Sequence, residues 1–232
     1  MTRDPLRPVL LVYDTQDQAG SRSDAIIGLL PSMPFVLASA SPRRAELLTA
    51  AGFDFEVVPA DVDETPAAGE PPREYALRVA RAKADHVSRQ FPDRVILAAD
   101  TVVVAGGRLM GKPADPVDAK SMLGALSGAV HDVHTAVVVR AGERQFDEVV
   151  TTAVRFNSLT EGEIAWYIAT GEAEGKAGAY GIQGRAARFI DRIDGSWSNV
   201  VGLPIATAYR LLSEAGAENW PVPSNAIDPA ER

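Results

Sequence analysis

A chain of 232 residues, 46% of them hydrophobic, is long enough to bury one sizeable core or one core divided into two lobes. Its formal net charge of −8 argues against a general nucleic-acid-binding surface while leaving room for a local basic pocket. The absence of cysteine excludes disulfides, thiolate catalysis and Cys-based zinc sites, and no apolar run approaches the length of a membrane span.

Residues 1–33 mix Pro, Asp, Gln, Ser and Gly with two short apolar pieces. They read as an appended extension without a signal-peptide layout, so the sequence as a whole reads as cytoplasmic, with no membrane partner. "FVLAS", from Phe35, is a buried strand. It leads into "SPRRAELL", where Ser41 suits the N-cap and Pro42 the first turn of a helix ending at Gly52. Capping explains Ser41 and Pro42 fully. It does not explain Arg43 and Arg44, whose charges in a first turn oppose the helix dipole by about 0.3–1 kcal/mol each. Unpaired N–H groups together with two guanidinium forks suit a phosphate, with Ser39 as a further donor.

"FEVVPA" predicts a second strand, followed by the acidic loop "DVDETPAAGEPP". Asp61, Asp63 and Glu64 there make either a solvated loop or, beside an anion site, one or two ligands of a magnesium ion. "REYALRVARAKADHVSRQF", with apolar or small residues at Tyr75, Val79, Ala82 and within Ala84–Val87, predicts a helix of moderate amphipathicity. "RVILAADTVVVAGG" predicts a strand ending in a turn, and Asp100 interrupts its apolar run. An unpaired buried carboxylate is very unfavourable, so Asp100 requires a partner or the mouth of a site. Beside Thr101 it can hold a divalent metal or take a proton from water; the alternative is a strand end with a local salt bridge. Lys112 in "GKPADP" is either a surface lysine or a phosphate contact.

"DPVDAKSMLGALSG" predicts a helix, and "VHTAVVVRAGERQFDEVVTTAVRF" a hairpin around "AGER". His131 and His134 lie three apart, so on a strand they face opposite sides and cannot share a metal. "TEGEIAWYIATGE" predicts a helix opening on a capping box of Thr160 and Glu163. "GEAEGKAGAYGIQG" fits neither the Walker P-loop nor the Rossmann fingerprint; its glycines suit close backbone approach to a flat ligand, with Gln183 reading its edge. A last helix covers residues 204–215, and residues 217–232 read as a disordered tail. No G-x-S-x-G occurs, which leaves acyl chemistry on a serine elbow unsupported. Strands alternating with helices imply an α/β fold, a mixed β-sheet with flanking helices.

Taken in order, "LASASPRRAELL", "ADTVV", "GKP", "KAGAYGIQG" and "VVGLP" resemble the Maf family of nucleotide pyrophosphatases, within a domain over residues 34–216. The resemblance implies two lobes around a central cleft, in a fold like that of inosine-triphosphate pyrophosphatase, with the nucleotide in the cleft. It also implies hydrolysis of a nucleoside triphosphate to monophosphate and diphosphate, with a divalent cation such as Mg or Mn. Carried over by position, Asp100 is the proton acceptor, and Arg43, Thr101 and Gln183 are linked to substrate choice. Arg44, Glu64, Lys112 and Ser39 match further site positions, with Glu64 and Asp100 as the candidate metal ligands. "ADT" with "GIQG" looks like the dTTP/UTP subgroup. Modified pyrimidine triphosphates and 7-methyl-GTP stay open as substrates, as does a non-enzymatic septum-formation regulator binding nucleic acid or a protein partner. A homodimer is also left open. The first 33 residues depart from the family's usual short N-terminus and receive no function.

Overall fold

A computed structural model describes residues 33–217, so the expectations for the extension and the tail lie outside the described residues. The chain enters at β1 (Phe35–Ala38), turns into α1 (Pro42–Ala50) and returns as β2 (Phe55–Val57). The second strand stops three residues short of the expected end at Ala60. The long α2 (Pro72–Ser88) precedes β3 (Val95–Ala105), and a tight turn through Gly106 and Gly107 then gives β4 (Arg108–Met110). Both turn glycines have positive φ, +56° and +75°, the geometry of a two-residue hairpin. This short return strand was not expected from the sequence. After α3 (Pro116–Leu126), β5 (Val130–Ala141) and β6 (Arg144–Phe156) form the predicted long hairpin. The chain closes with α4 (Glu161–Ala169), β7 (Ile190–Asp194), a short α5 (Trp197–Val201) and α6 (Ile205–Ala215).

Local chemistry sets the helix starts. Thr160 accepts from the Glu163 N–H at 3.2 Å while the Glu163 carboxylate accepts from the Thr160 N–H at 2.7 Å, the reciprocal bonds of a capping box. Asp115 caps α3 through the Asp118 N–H at 2.8 Å. Ser41 occupies the N-cap of α1 with extended backbone, but its side chain makes no capping bond.

The strands form one mixed sheet in the order β2-β1-β3-β5-β6-β7, with β4 added to β3. Alternate residues feed two apolar layers. On one face Val36, Ile96 and Val138 meet the Tyr75, Ala76, Val79, Ala80 and Ala84 stripe of α2. On the other, Leu37, Leu97 and Val137 meet α1, α3, α4 and α6. All seven strands of the described residues belong to this one sheet.

One feature of that sheet positions the site. β5 runs along one side of β3 from Val95 to Val104. On the other side, β1 pairs only as far as Ala98, and β4 pairs only with Val103–Ala105. Residues 99–102 therefore face a gap in the ladder, and Asp100 and Thr101 lie in it.

His131, on β5, is buried beside Tyr180, whose hydroxyl lies 2.8 Å from its Nε2, and beside the Phe156 ring. His134 faces the opposite side and bonds Thr151 at 2.9 Å. Burial holds His131 well below an ordinary imidazole, at about 4. The unfolded chain, with a value near 6.5, then binds the extra proton first. Stability is thus full above about pH 6.5 and falls between there and about pH 4, by up to about 3 kcal/mol. We expect the stability difference between wild type and His131→Gln, from urea unfolding, to narrow or reverse as pH falls from 7 to 5. A constant difference across that range would remove His131 from the acid response.

Candidate active site

The gap in the β3 edge opens into a cavity of about 480 Å³, within the ordinary size of a ligand pocket. Its floor is β3. One wall is the start of α1 with Ser39, Arg43 and Arg44; a second is α2 and the loop before it, with Lys83 and Glu64; β4 and the following turn add Lys112. The glycine-rich segment from Gly175 to Gln183 forms the facing wall. All seven residues singled out from the sequence as substrate or catalytic contacts, with Glu64, therefore line one cavity. Asp61 and Asp63 do not line it, and Asp63 instead accepts the Thr65 N–H in a local turn.

The two arginines of α1 behave differently. Arg44 is buried, and its guanidinium is held on three sides: Nε donates to the Gly202 carbonyl at 2.8 Å, Nη1 to Ser39 Oγ at 3.0 Å and Nη2 to Thr101 Oγ1 at 3.1 Å. Burial lowers its basicity, and Asp100 opposes that shift. Gly202 has φ +130°, a conformation suited to glycine, which lets its carbonyl reach Arg44. Arg44 is thus a brace across three elements with part of its fork left for a ligand. Arg43 is half-buried and, among the described residues, has no ion pair or side-chain hydrogen bond. Of the pair, Arg43 is the one free to meet an anion. Thr101 is likewise engaged, 3.0 Å from Thr135 Oγ1 and 3.3 Å from the Gly202 carbonyl as well as accepting from Arg44.

Asp100 alternates to the α2 face of β3, and there it meets a residue that the sequence reading passed over. Lys83 Nζ donates to Asp100 Oδ1 at 2.7 Å and pairs with Glu64 Oε1 at 2.7 Å. Both Lys83 and Asp100 are buried. The salt bridge that was the alternative reading of Asp100 exists, and so does the cavity; the two are compatible. Asp100 Oδ2 has no hydrogen-bond partner among the described residues. Glu64 is further held through its backbone carbonyl, which accepts from Tyr75 OH at 2.7 Å, and Lys112 Nζ lies 3.8 Å from its carboxylate. Burial would raise the Glu64 carboxyl, but the Lys83 hydrogen bond with the charges of Lys83, Lys112 and Arg44 brings it below its ordinary value. A signal for Lys83 was present: it falls on the inward stripe with Val79, Ala80, Ala84 and Val87, while Ala82 is only half-buried. A lysine on the apolar stripe of a helix requires a buried acid opposite.

The glycine run also packs closely against the protein itself. At three of its glycines other side chains of the protein occupy the space a Cβ would take. A Cβ at Gly178 would lie 3.0 Å from the Val103 side chain, at Gly181 3.0 Å from the Lys176 stem, and at Gly184 2.2 Å from the Glu172 carboxylate. Gly178 also has φ +69°. The segment thus packs onto β3 through Gly178 and presents Gln183 and Lys176 to the cavity. Lys176, also missed from the sequence, is less basic than usual because of burial first and then the charge of Arg43 across the cleft.

Five cationic side chains (Arg43, Arg44, Lys83, Lys112 and Lys176) face two carboxylates in this cavity, although the whole chain is acidic. The region suits a polyanion. As to a divalent cation, Glu64 and Asp100 converge from two elements on one point, presently bridged by the Lys83 ammonium. No group of three or more His, Cys, Asp or Glu able to hold a metal occurs among the described residues. Two carboxylates completed by phosphate oxygens and water are a donor set that magnesium or manganese accepts, so these residues fit the ion.

Residues 34–215 match the family model described as "Maf-like protein". The chain belongs to the Maf family. Maf relatives aligned over most of its length include a dTTP/UTP pyrophosphatase of Anaeromyxobacter dehalogenans, 52% identical over 192 residues, covering 81% of this chain and 95% of the relative. The proteins of the same name from Geotalea uraniireducens and Syntrophomonas wolfei are each 51% identical, covering 78% of this chain and 95% and 96% of the relatives. No helix among the described residues of this Maf protein is long and apolar enough to cross a membrane.

Proposed function

We propose that this Maf protein hydrolyses dTTP and UTP to the nucleoside monophosphate and diphosphate. The observation that carries the proposal is Asp100, presenting an unpartnered carboxylate oxygen at the open β3 edge to a cavity lined by five cations. The names of the relatives at about half identity supply the substrate class. Water attacks the α-phosphorus, the bond to the bridging oxygen breaks, and diphosphate leaves. Asp100 takes the proton of that water through Oδ2, its orientation fixed by the Lys83 bond to Oδ1. Arg43, Lys112 and Lys176 balance the charge of the phosphates and hold them in line for attack. A divalent cation held by Glu64 and Asp100 would supply further neutralisation of the phosphate oxygens. Arg44 keeps the α1 wall in register with β3 through Thr101 and Gly202. We place this activity in the cytoplasm, where free triphosphates are made, and the acidic chain argues against a nucleic-acid partner.

Gln183 is the proposed reader of the base. A uracil or thymine ring presents a carbonyl beside an N–H, and a glutamine amide offers the complementary donor and acceptor. Gln183→Glu exchanges the donor for a charged second acceptor. Diphosphate release should be measured for dTTP, UTP and 7-methyl-GTP with both proteins. We expect the specificity constant for dTTP and UTP to fall at least about tenfold, which corresponds to roughly 1.4 kcal/mol, while 7-methyl-GTP suffers less. An equal change for all three would mean that Gln183 does not read the base, and a wild type that ignores dTTP and UTP would end the proposal.

A further inference from the structure

Gln183 stands on a turn whose shape is set from outside the cavity. The Gly184 N–H donates to the Gly181 carbonyl at 3.1 Å, closing a four-residue turn with Ile182 and Gln183 at its tip. Ile182 is buried and anchors one side of the tip, while Gln183 is exposed toward the cavity. The exit of the turn is held by one side chain: Glu172 Oε2 accepts from the Arg185 N–H at 2.8 Å. That carboxylate lies where a Cβ of residue 184 would be, at 2.2 Å, so the close approach depends on Gly184 having no side chain. Glu172 is itself fixed at its backbone. Its N–H donates to Thr170 Oγ1 at 3.2 Å, its carbonyl accepts from Lys176 Nζ, and the next residue, Ala173, is buried. Behind Gln183 a second cavity of about 220 Å³ is lined by Glu172, Glu46, Lys176 and the three residues Gly181, Gln183 and Gly184, so the turn has room to shift if its clamp is lost.

We infer that Glu172 is a positioning residue for base selection, acting through the Arg185 amide and the absent side chain of Gly184 to aim Gln183. The inference rests on the reading of Gln183 as the base-reading residue. A plain surface ion pair is the competing account, because Glu172 Oε1 also lies 3.4 Å from Arg185 Nη1. An ion pair of this exposed kind would be lost in Arg185→Ala and would not alter the choice between bases.

The test compares the specificity constants for dTTP and CTP, whose rings differ at the edge Gln183 would meet. Their ratio within one protein cancels any loss of folded enzyme. Glu172→Ala removes the clamp. Gly184→Ala keeps Glu172 but drives its carboxylate off the Arg185 amide; the φ of −104° at residue 184 is open to alanine. Each should lower the dTTP-to-CTP ratio at least about fivefold, as loss of a bond to a charged acceptor allows. Glu172→Gln keeps an acceptor oxygen and should hold the ratio within about twofold of wild type. In the double variant the Gly184 change has no carboxylate left to displace, so the ratio should fall no further than in Glu172→Ala. Arg185→Ala removes the ion pair but not the amide bond and should leave the ratio unchanged. A wild-type ratio in Glu172→Ala, alongside a lost ratio in Gln183→Ala, would overturn the role of Glu172 alone. If Gln183→Ala itself keeps the ratio, the base-reading assignment fails and the inference falls with it. Additive losses in the double variant, or a loss in Arg185→Ala matching that in Glu172→Ala, would overturn the proposed route through Gly184.

Discussion

Asp100→Asn is expected to lower the turnover of dTTP by about 10²–10⁴-fold, the ordinary contribution of a general base. The substitution is nearly isosteric. The amide oxygen can still accept from Lys83, and Lys83 keeps its second partner, Glu64, at 2.7 Å. The fold should therefore survive while the ability to take a proton at Oδ2 is lost. The measurement is diphosphate release under saturating dTTP, together with the melting temperature of each protein. A variant that turns over near the wild-type rate would remove Asp100 from the chemistry. A variant that is inactive only because it is unfolded would leave Asp100 as a structural residue.

Lys83→Met should lower stability, in addition to releasing the Asp100 carboxylate that Lys83 orients. Lys83 and Asp100 are each about one-tenth exposed in their side chains, so removing the ammonium leaves a largely buried carboxylate without its hydrogen-bonded counter-charge. Breaking a buried pair in this way costs about 3–5 kcal/mol, whereas methionine fills most of the lost volume. For a chain of this length that corresponds to a fall in melting temperature on the order of 6–20 °C. Glu64, with a side chain 40% exposed, can return to water and adds little. The double variant Lys83→Met with Asp100→Asn should recover much of the loss, because the stranded charge is gone. Equal melting of Lys83→Met and wild type would show that the charge of Arg44 suffices for Asp100, and failure of the double variant to recover would show that the loss comes from packing of the α2 stripe.

The sequence by itself determined the features that depend on near neighbours. Short apolar runs marked β1 and β3, the runs on either side of the AGER turn marked β5 and β6, and the capping box at Thr160 and Glu163 marked the start of α4, because backbone patterning and caps act within a few residues. The unusual residues of the site could also be picked out one at a time, since a carboxylate in an apolar strand or two arginines at a helix start conflict with their own surroundings. The tertiary structure decided how those residues divide their work. β1 and β4 are short in register on the same edge of β3, and neither strand alone announces that residues 99–102 will be left open between them. Arg43 and Arg44 look alike in the chain, but helical rotation turns Arg44 under the Gly202 carbonyl and leaves Arg43 in the cleft. Lys83 is matched to Asp100 across 17 residues and two elements, a pairing that no local pattern carries. Val103, Lys176 and Glu172 occupy the space beside the glycines at 178, 181 and 184, and only the packed chain brings those side chains there. Contacts between distant segments depend on register and rotation, and a local sequence pattern specifies neither.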